Sequence, residues 1–147
     1  MTSVNDPVLI SELRRDEGVE REVYKDSVGI DTIGVGHNLY AKPLPESWSP
    51  PLTDLQIDQL LSEDLVEVFE GLDKHMPDWK ELSEPRQRVL VNMAFNMGIE
   101  GLMTFKNTLK AIEESNYSYA SALMMQSKWA RQVGARASRL SSMMSVG

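Results

Sequence analysis

Asp16–Leu39, DEGVEREVYKDSVGIDTIGVGHNL, is the stretch around which the rest of the chain reads. It opens on a Glu-Gly step and runs through the strand-formers Val23-Tyr24 into Lys25-Asp26. It turns at Ser27-Val28-Gly29 and returns along Thr32-Ile33-Gly34-Val35-Gly36. Two β-prone runs about a glycine-bearing connection predict a hairpin. Asp26 then lies where the first strand meets the turn, with Thr32 on the returning strand opposite. Glu17 directly precedes Gly18, the arrangement of a helix end, because glycine accepts the left-handed geometry that closes a helix. A carboxyl at a helix terminus thus faces a carboxyl and a hydroxyl on a hairpin. Two carboxyls held apart on rigid elements are the minimum apparatus for hydrolysing a glycosidic bond.

On the N-terminal side, Asp6-Pro7 reads as an N-cap and first helical residue. Val8, Leu9 and Leu13 extend an apolar stripe toward Glu17. On the other side, Pro43, Pro45, Pro50 and Pro51 forbid regular structure and stiffen the connection 41–51. Thr53 caps a long helix to about Lys74, with Leu61, Leu65, Phe69 and Leu72 at helical spacing and Leu60, Val66 and Val68 beside them. About 22 residues at roughly 1.5 Å each span some 33 Å, enough to bridge two lobes. Pro77 ends the segment. Ser83 and Pro85 open a helix that is apolar on nearly every side from Val89 to Met97, as a central buried helix is, and Gly98 and Gly101 break it. Thr104 caps Phe105 to about Glu114, Asn116 caps Tyr117 to Ser127, and Gly134 separates Trp129 from a final helix, Arg136–Met144. The nine methionines fall mostly at apolar positions and read as core filler.

At 147 residues the chain fits one domain with a real core. The expected class is α+β, predominantly α, with a small hairpin lobe, about 17–52, and a larger helical lobe, 1–16 plus 53–147. The long helix joins them, and a cleft between them would put the hairpin carboxyl across from Glu17. No apolar run approaches a membrane span, and the first ten residues lack a basic, apolar leader, so neither stable membrane insertion nor a signal peptide or signal anchor is expected. Without cysteine there are no disulfides or thiolate metal sites, and cytosol is the expected compartment. A formal net charge of −7 argues against nucleic-acid binding. The charge is uneven: residues 53–100 hold 11 acids against 4 bases, whereas 101–147 hold 2 against 6. Lys128, Arg131, Arg136 and Arg139 are either a solubilising helical face or a positive patch for an anionic polymer.

Taken singly, acids beside turns are solvated turn formers. The joint pattern is more specific. Glu17-Gly18, Tyr24-Lys25-Asp26, Gly29 and Thr32-Ile33-Gly34-x-Gly36-His37 resemble the signature of the phage-type lysozymes, the muramidase endolysins of T-even coliphages and their relatives. Eight residues separate Glu17 from Asp26 and five separate Asp26 from Thr32, as in that family's acid, acid and threonine. Asn92-Met93-Ala94-Phe95-Asn96-Met97-Gly98, Phe105-x-Asn107-x-Leu109 and Ser127-Lys128-Trp129 are also similar, so the likeness covers nearly the whole chain. It implies Glu17 as general acid, with Asp26 and Thr32 placing or activating water, and Phe95, Asn96 and Thr108 as glycan contacts. It also implies that Arg136 pairs with the glutamate and that Asp64 forms a structural salt bridge with His37. The segment between Leu39 and Thr53 is shorter than in the coliphage enzyme, so the third strand and hinge are expected to be missing or replaced. Asn38 stands in place of an apolar cleft residue and Leu123 in place of a sugar-contacting amide. Asp31 is an extra acid, read as solvated because neighbours on a strand face opposite ways.

The resemblance implies a monomeric endolysin that cleaves the β-1,4 bond between N-acetylmuramic acid and N-acetylglucosamine of peptidoglycan. It would act without cofactor or metal, held in the host cytoplasm until a holin opens the membrane. That division of labour suits inversion, although a retaining course through an Asp26 adduct is also open. The rivals are a lytic transglycosylase and an inactive wall-binding or virion structural module. Other motifs fail: Gly34-x-Gly36 lacks the third glycine of a dinucleotide loop. His37 and His75 alone cannot supply the ligands of a zinc amidase.

Overall fold

In the computed structural model, which describes residues 2–147, helix α1 spans Pro7–Glu17. Asp6 sets its start: the Val8 N–H donates to the Asp6 carboxylate at 2.9 Å, and Pro7 takes the first helical position, where a missing N–H costs nothing. Leu9 and Leu13 bury the stripe seen in the sequence, and Gly18, at φ 77°, closes the helix with its N–H on the Arg14 carbonyl. Strands β1 (Glu20–Lys25), β2 (Asp31–Gly34) and β3 (His37–Asn38) follow as an antiparallel sheet in the order β1-β2-β3. A third strand is therefore present despite the shortened connection, although it is only a residue pair. It is closed by the Leu39 N–H donating to the Asp31 carbonyl at 2.9 Å.

The long helix α2 runs Asp54–His75. Thr53 and Gln56 form a reciprocal capping box: the Gln56 N–H donates to the Thr53 hydroxyl (3.2 Å) and the Thr53 N–H to the Gln56 side-chain oxygen (2.9 Å). Leu60, Leu61, Leu65, Phe69 and Leu72 are buried along it, while Val66 is exposed. A 3-10 turn, Trp79–Glu81, leads to α3 (Glu84–Met103), α4 (Lys106–Glu113), α5 (Tyr117–Met125), α6 (Lys128–Val133) and α7 (Ala135–Val146).

Two sequence expectations fail locally. Gly98 does break the helix, at φ 78° and ψ 160°, but the chain resumes helical geometry through Gly101 to Met103. Thr104 does not cap α4. Its hydroxyl donates backward to the Gly101 carbonyl at 2.6 Å, adding to the bond that its own N–H makes there at 3.2 Å and closing the end of α3. The six residues Val89–Ala94 are all buried, as a central helix requires. The methionines are more mixed than core filler suggests: Met93, Met124 and Met144 are buried, but Met125 is exposed.

The chain divides into two compact units, Ser3–Glu67 and Val68–Gly147 with Thr2. The unit that holds the sheet also contains α1 and the first part of α2. Its core joins Leu9, Leu13, Ile33, Val35, Leu52, Ile57, Leu60 and Leu61. A Cβ at Gly34 would meet Ile57 and Leu60 of α2 at ordinary contact distance, 3.7 and 3.9 Å, so it is the φ of 66° that calls for glycine at the end of β2. The second unit is built on α3 and α7, with Val89, Leu90, Met93, Leu140 and Met144 buried.

Candidate functional site

Glu17 ends α1, and its carboxyl lies against the turn between β2 and β3. A Cβ at Gly36 would fall 2.7 Å from Glu17 Oε1 and 3.0 Å from its Cδ. Gly36 also sits at φ 60°, so both its backbone geometry and the space beside the acid call for glycine.

Asp26 closes β1. Its N–H donates to the Ile30 carbonyl (2.9 Å), and its own carbonyl accepts from Gly29 (3.0 Å). Its side chain fixes the turn, since Oδ1 accepts from the N–H groups of both Val28 and Ile30, each at 2.9 Å. The other oxygen, Oδ2, has no protein partner among the described residues. Thr32, 4% exposed, donates its hydroxyl proton to the Ile30 carbonyl at 2.8 Å, which leaves Oγ1 free only to accept.

Strand register assigns the faces. Tyr24 is directly opposite Thr32, so the two share a face, whereas Lys25 and Asp31 share the other. Asp31 is exposed, as expected, but carries an ion pair with Lys25 at 2.6 Å. Tyr24 is half-buried, and burial pushes its phenol upward in pKa from the ordinary value. The negative charges of Glu17, Glu20 and Asp26 push it further the same way. All three carboxyls therefore act on one neutral phenol. Sequence reasoning left Tyr24 and Gly36 without a role. The alternation Tyr24, Asp26 was the available signal for the first; nothing in the sequence identified the contact of Glu17 with residue 36.

His37, on the buried face with Ile33, meets Asp64 of α2: Nδ1 lies 2.7 Å from Asp64 Oδ2, and Nε2 lies 2.8 Å from the Lys42 carbonyl. Both ring nitrogens thus face acceptors, an arrangement that calls for a proton on each. Burial lowers the pKa of His37, but the hydrogen bond and charge of Asp64 and the Lys42 carbonyl outweigh it, and the net direction is upward.

The remaining expected residues lie in the second unit. Phe95 is half-buried and Asn96 exposed on α3, and the Trp129 indole N–H donates to Asn96 Oδ1 at 2.8 Å. Thr108 is buried and, with Phe105, Leu123, Lys128 and Trp129, lines an open pocket of about 680 Å³. Arg136 is only 7% exposed, and its Nε donates to Asn92 Oδ1 at 2.9 Å. The four-cation patch read from the sequence is corrected accordingly: Lys128 and Arg131 are exposed, but Arg136 belongs to the interior. No cluster of metal-ligating side chains occurs among the described residues, and no helix among them is long and apolar enough to cross a membrane.

The phage lysozyme family model matches residues 14–143. A probable T4-type lysozyme of Dictyostelium discoideum is 28% identical over 92% of this chain and 92% of its own. The endolysin of Salmonella phage P22 is 29% identical over 76% of this chain and 74% of its own. The pre-baseplate central spike protein Gp5 of Enterobacteria phage T4 is 30% identical over 92% of this chain, which spans only 27% of that protein. The family match takes in both acids, Thr32 and most of the helical unit, and the chain therefore belongs to the phage lysozyme family, cell-wall hydrolases of the muramidase type.

Proposed function

We propose that this chain hydrolyses the β-1,4 bond between N-acetylmuramic acid and N-acetylglucosamine of bacterial peptidoglycan. Glu17 is the general acid, and Asp26 with Thr32 holds and activates the attacking water. The observation that carries this reading is the division of hydrogen bonds at the hairpin. Asp26 Oδ1 is committed to two backbone amides, so the carboxylate is fixed in place with Oδ2 left to accept. The Thr32 hydroxyl has given its proton to Ile30 and can only accept as well. A water offering one hydrogen to each keeps a lone pair for the anomeric carbon. As that lone pair attacks, Asp26 takes a proton, and Glu17 gives one to the departing glycosidic oxygen. The atoms balance as one water consumed and one reducing end formed. A water held by the hairpin acid is the requirement of inversion.

Phe95, Asn96 and Thr108 serve as saccharide contacts in this reading, and the His37–Asp64 couple supports the fold around the hairpin. The biological role is host-cell lysis by a monomer released from the host cytoplasm through a holin lesion, a role supported by similarity to the protein named an endolysin. A lytic transglycosylase uses no water in the cleaving step, and a structural module needs neither Asp26 nor Thr32. Turbidity of permeabilised Gram-negative cells separates the second rival. The wild-type chain clears the suspension, whereas a chain that binds murein without clearing it would contradict the enzymatic reading.

A further inference from the structure

Asn38 lies on β3, and the sheet gives it a defined direction. It is directly opposite Thr32, as Thr32 is opposite Tyr24. Directly opposed residues project to one face. A phenol, a hydroxyl and an amide therefore form a row across the three strands, with Asp26 two residues beyond Tyr24. The other face takes Ile33 and His37 into the core.

The amide is oriented as well as placed. The Ala41 N–H donates to the Asn38 side-chain oxygen at 2.9 Å, and only the oxygen of a carboxamide can meet a backbone donor. Nδ2 is thereby turned away from the turn, and its two hydrogens have no protein partner among the described residues. The turn holding it is itself anchored. The Lys42 N–H donates to the Asn38 carbonyl (3.1 Å), and His37, paired with Asp64, donates to the Lys42 carbonyl (2.8 Å). A half-buried, preorganised donor beside the water-holding pair calls for an acceptor on whatever occupies the site.

We propose that Asn38 is a saccharide-binding, specificity-determining residue whose Nδ2 donates to the acetamido carbonyl of an N-acetylated amino sugar bound beside Asp26 and Thr32. An amide carbonyl is the strongest neutral acceptor that such a glycan presents, and Asn38 would favour acetylated over deacetylated strands. The inference rests on the proposed glycan-cleaving site and adds the group on the sugar that the sheet reads.

Its test is binding of purified glycan strands, natively acetylated or chemically N-deacetylated, to a Glu17→Gln parent and to the same parent carrying Asn38→Asp. Aspartate keeps an oxygen for the Ala41 N–H and removes the donors, so the turn survives. Asn38→Leu removes the donors without adding charge. On acetylated strands both variants should bind about three- to tenfold more weakly, the loss of one ordinary hydrogen bond. On deacetylated strands Asn38→Asp should bind no more weakly than the parent. Affinity for acetylated strands within twofold of the parent in both variants would overturn the proposal. So would an equal loss on both kinds of strand, or failure of the parent to bind acetylated strands at all. If the wild-type chain released no new reducing ends while the acetyl-dependent loss persisted, the cleavage reading would fall and the role of Asn38 would stand.

Discussion

The Glu17 carboxyl and the Gly36 backbone occupy adjoining space, so close that a single added carbon at residue 36 would sit 2.7 Å from Oε1. Gly36→Ala combines that overlap with a left-handed backbone, which costs roughly 1 kcal/mol for alanine. The overlapping atom is the free end of a side chain, so the carboxyl moves before the fold fails. Lysis should drop about 100-fold, as a misplacement near 1 Å does, while the melting temperature falls by only about 2–4 °C. Clearing assays beside thermal denaturation check it; unchanged lysis would show that this contact does not position the acid.

Asp26 combines two jobs that substitution can separate. Asp26→Asn retains a side-chain oxygen for Val28 and Ile30, whereas Asp26→Ala leaves both amides without it. Both variants should lose about 100- to 10,000-fold in lysis, the usual worth of a positioned acid or base. Only the alanine variant should also lose stability, by about 1–3 kcal/mol for the unmatched turn amides. Denaturant titration of the two proteins makes the comparison.

His37 gives a pH signature in stability. Its pKa is raised in the folded chain, chiefly by Asp64 working against burial, so the pair stabilises the fold fully below the ordinary value of 6.5. That contribution is lost as pH rises through the raised folded value. Asp64→Asn should be less stable than wild type by about 1.5–3 kcal/mol near pH 5, with the gap narrowing toward pH 9. Melting curves at half-unit pH steps measure the gap, and a constant difference across the range would rule out a charged pair.

Much of this was legible in the sequence because local rules and tertiary demands agreed. Asp6-Pro7, Thr53 and Ser83 start helices by satisfying backbone donors within a few residues, which is chemistry a sequence displays. The placement of Glu17 at a helix end and of Asp26 and Thr32 about a hairpin was legible from Glu17-Gly18 and the two β-prone runs. What could not be read depended on distant chain segments or on which of two nearby ends a hydroxyl would serve. Thr104 had a helix on each side and turned to the earlier one. Arg136 carried two expectations, a surface cation by its neighbours and a partner of the glutamate by resemblance, and neither pointed to its bond with Asn92, 44 residues away. Asn38 read as a lost apolar contact, and its direction emerged only from β3, a strand too short to announce itself.

The central claim is that Glu17 protonates a leaving sugar oxygen while the hairpin delivers water. Product identification from purified murein tests it most directly, with wild type and Glu17→Gln digested side by side. Wild type should yield muropeptides ending in reducing N-acetylmuramic acid, and Glu17→Gln, correctly folded, should yield none. Anhydro ends from wild type, or wild-type yields of reducing ends from Glu17→Gln, would contradict the account.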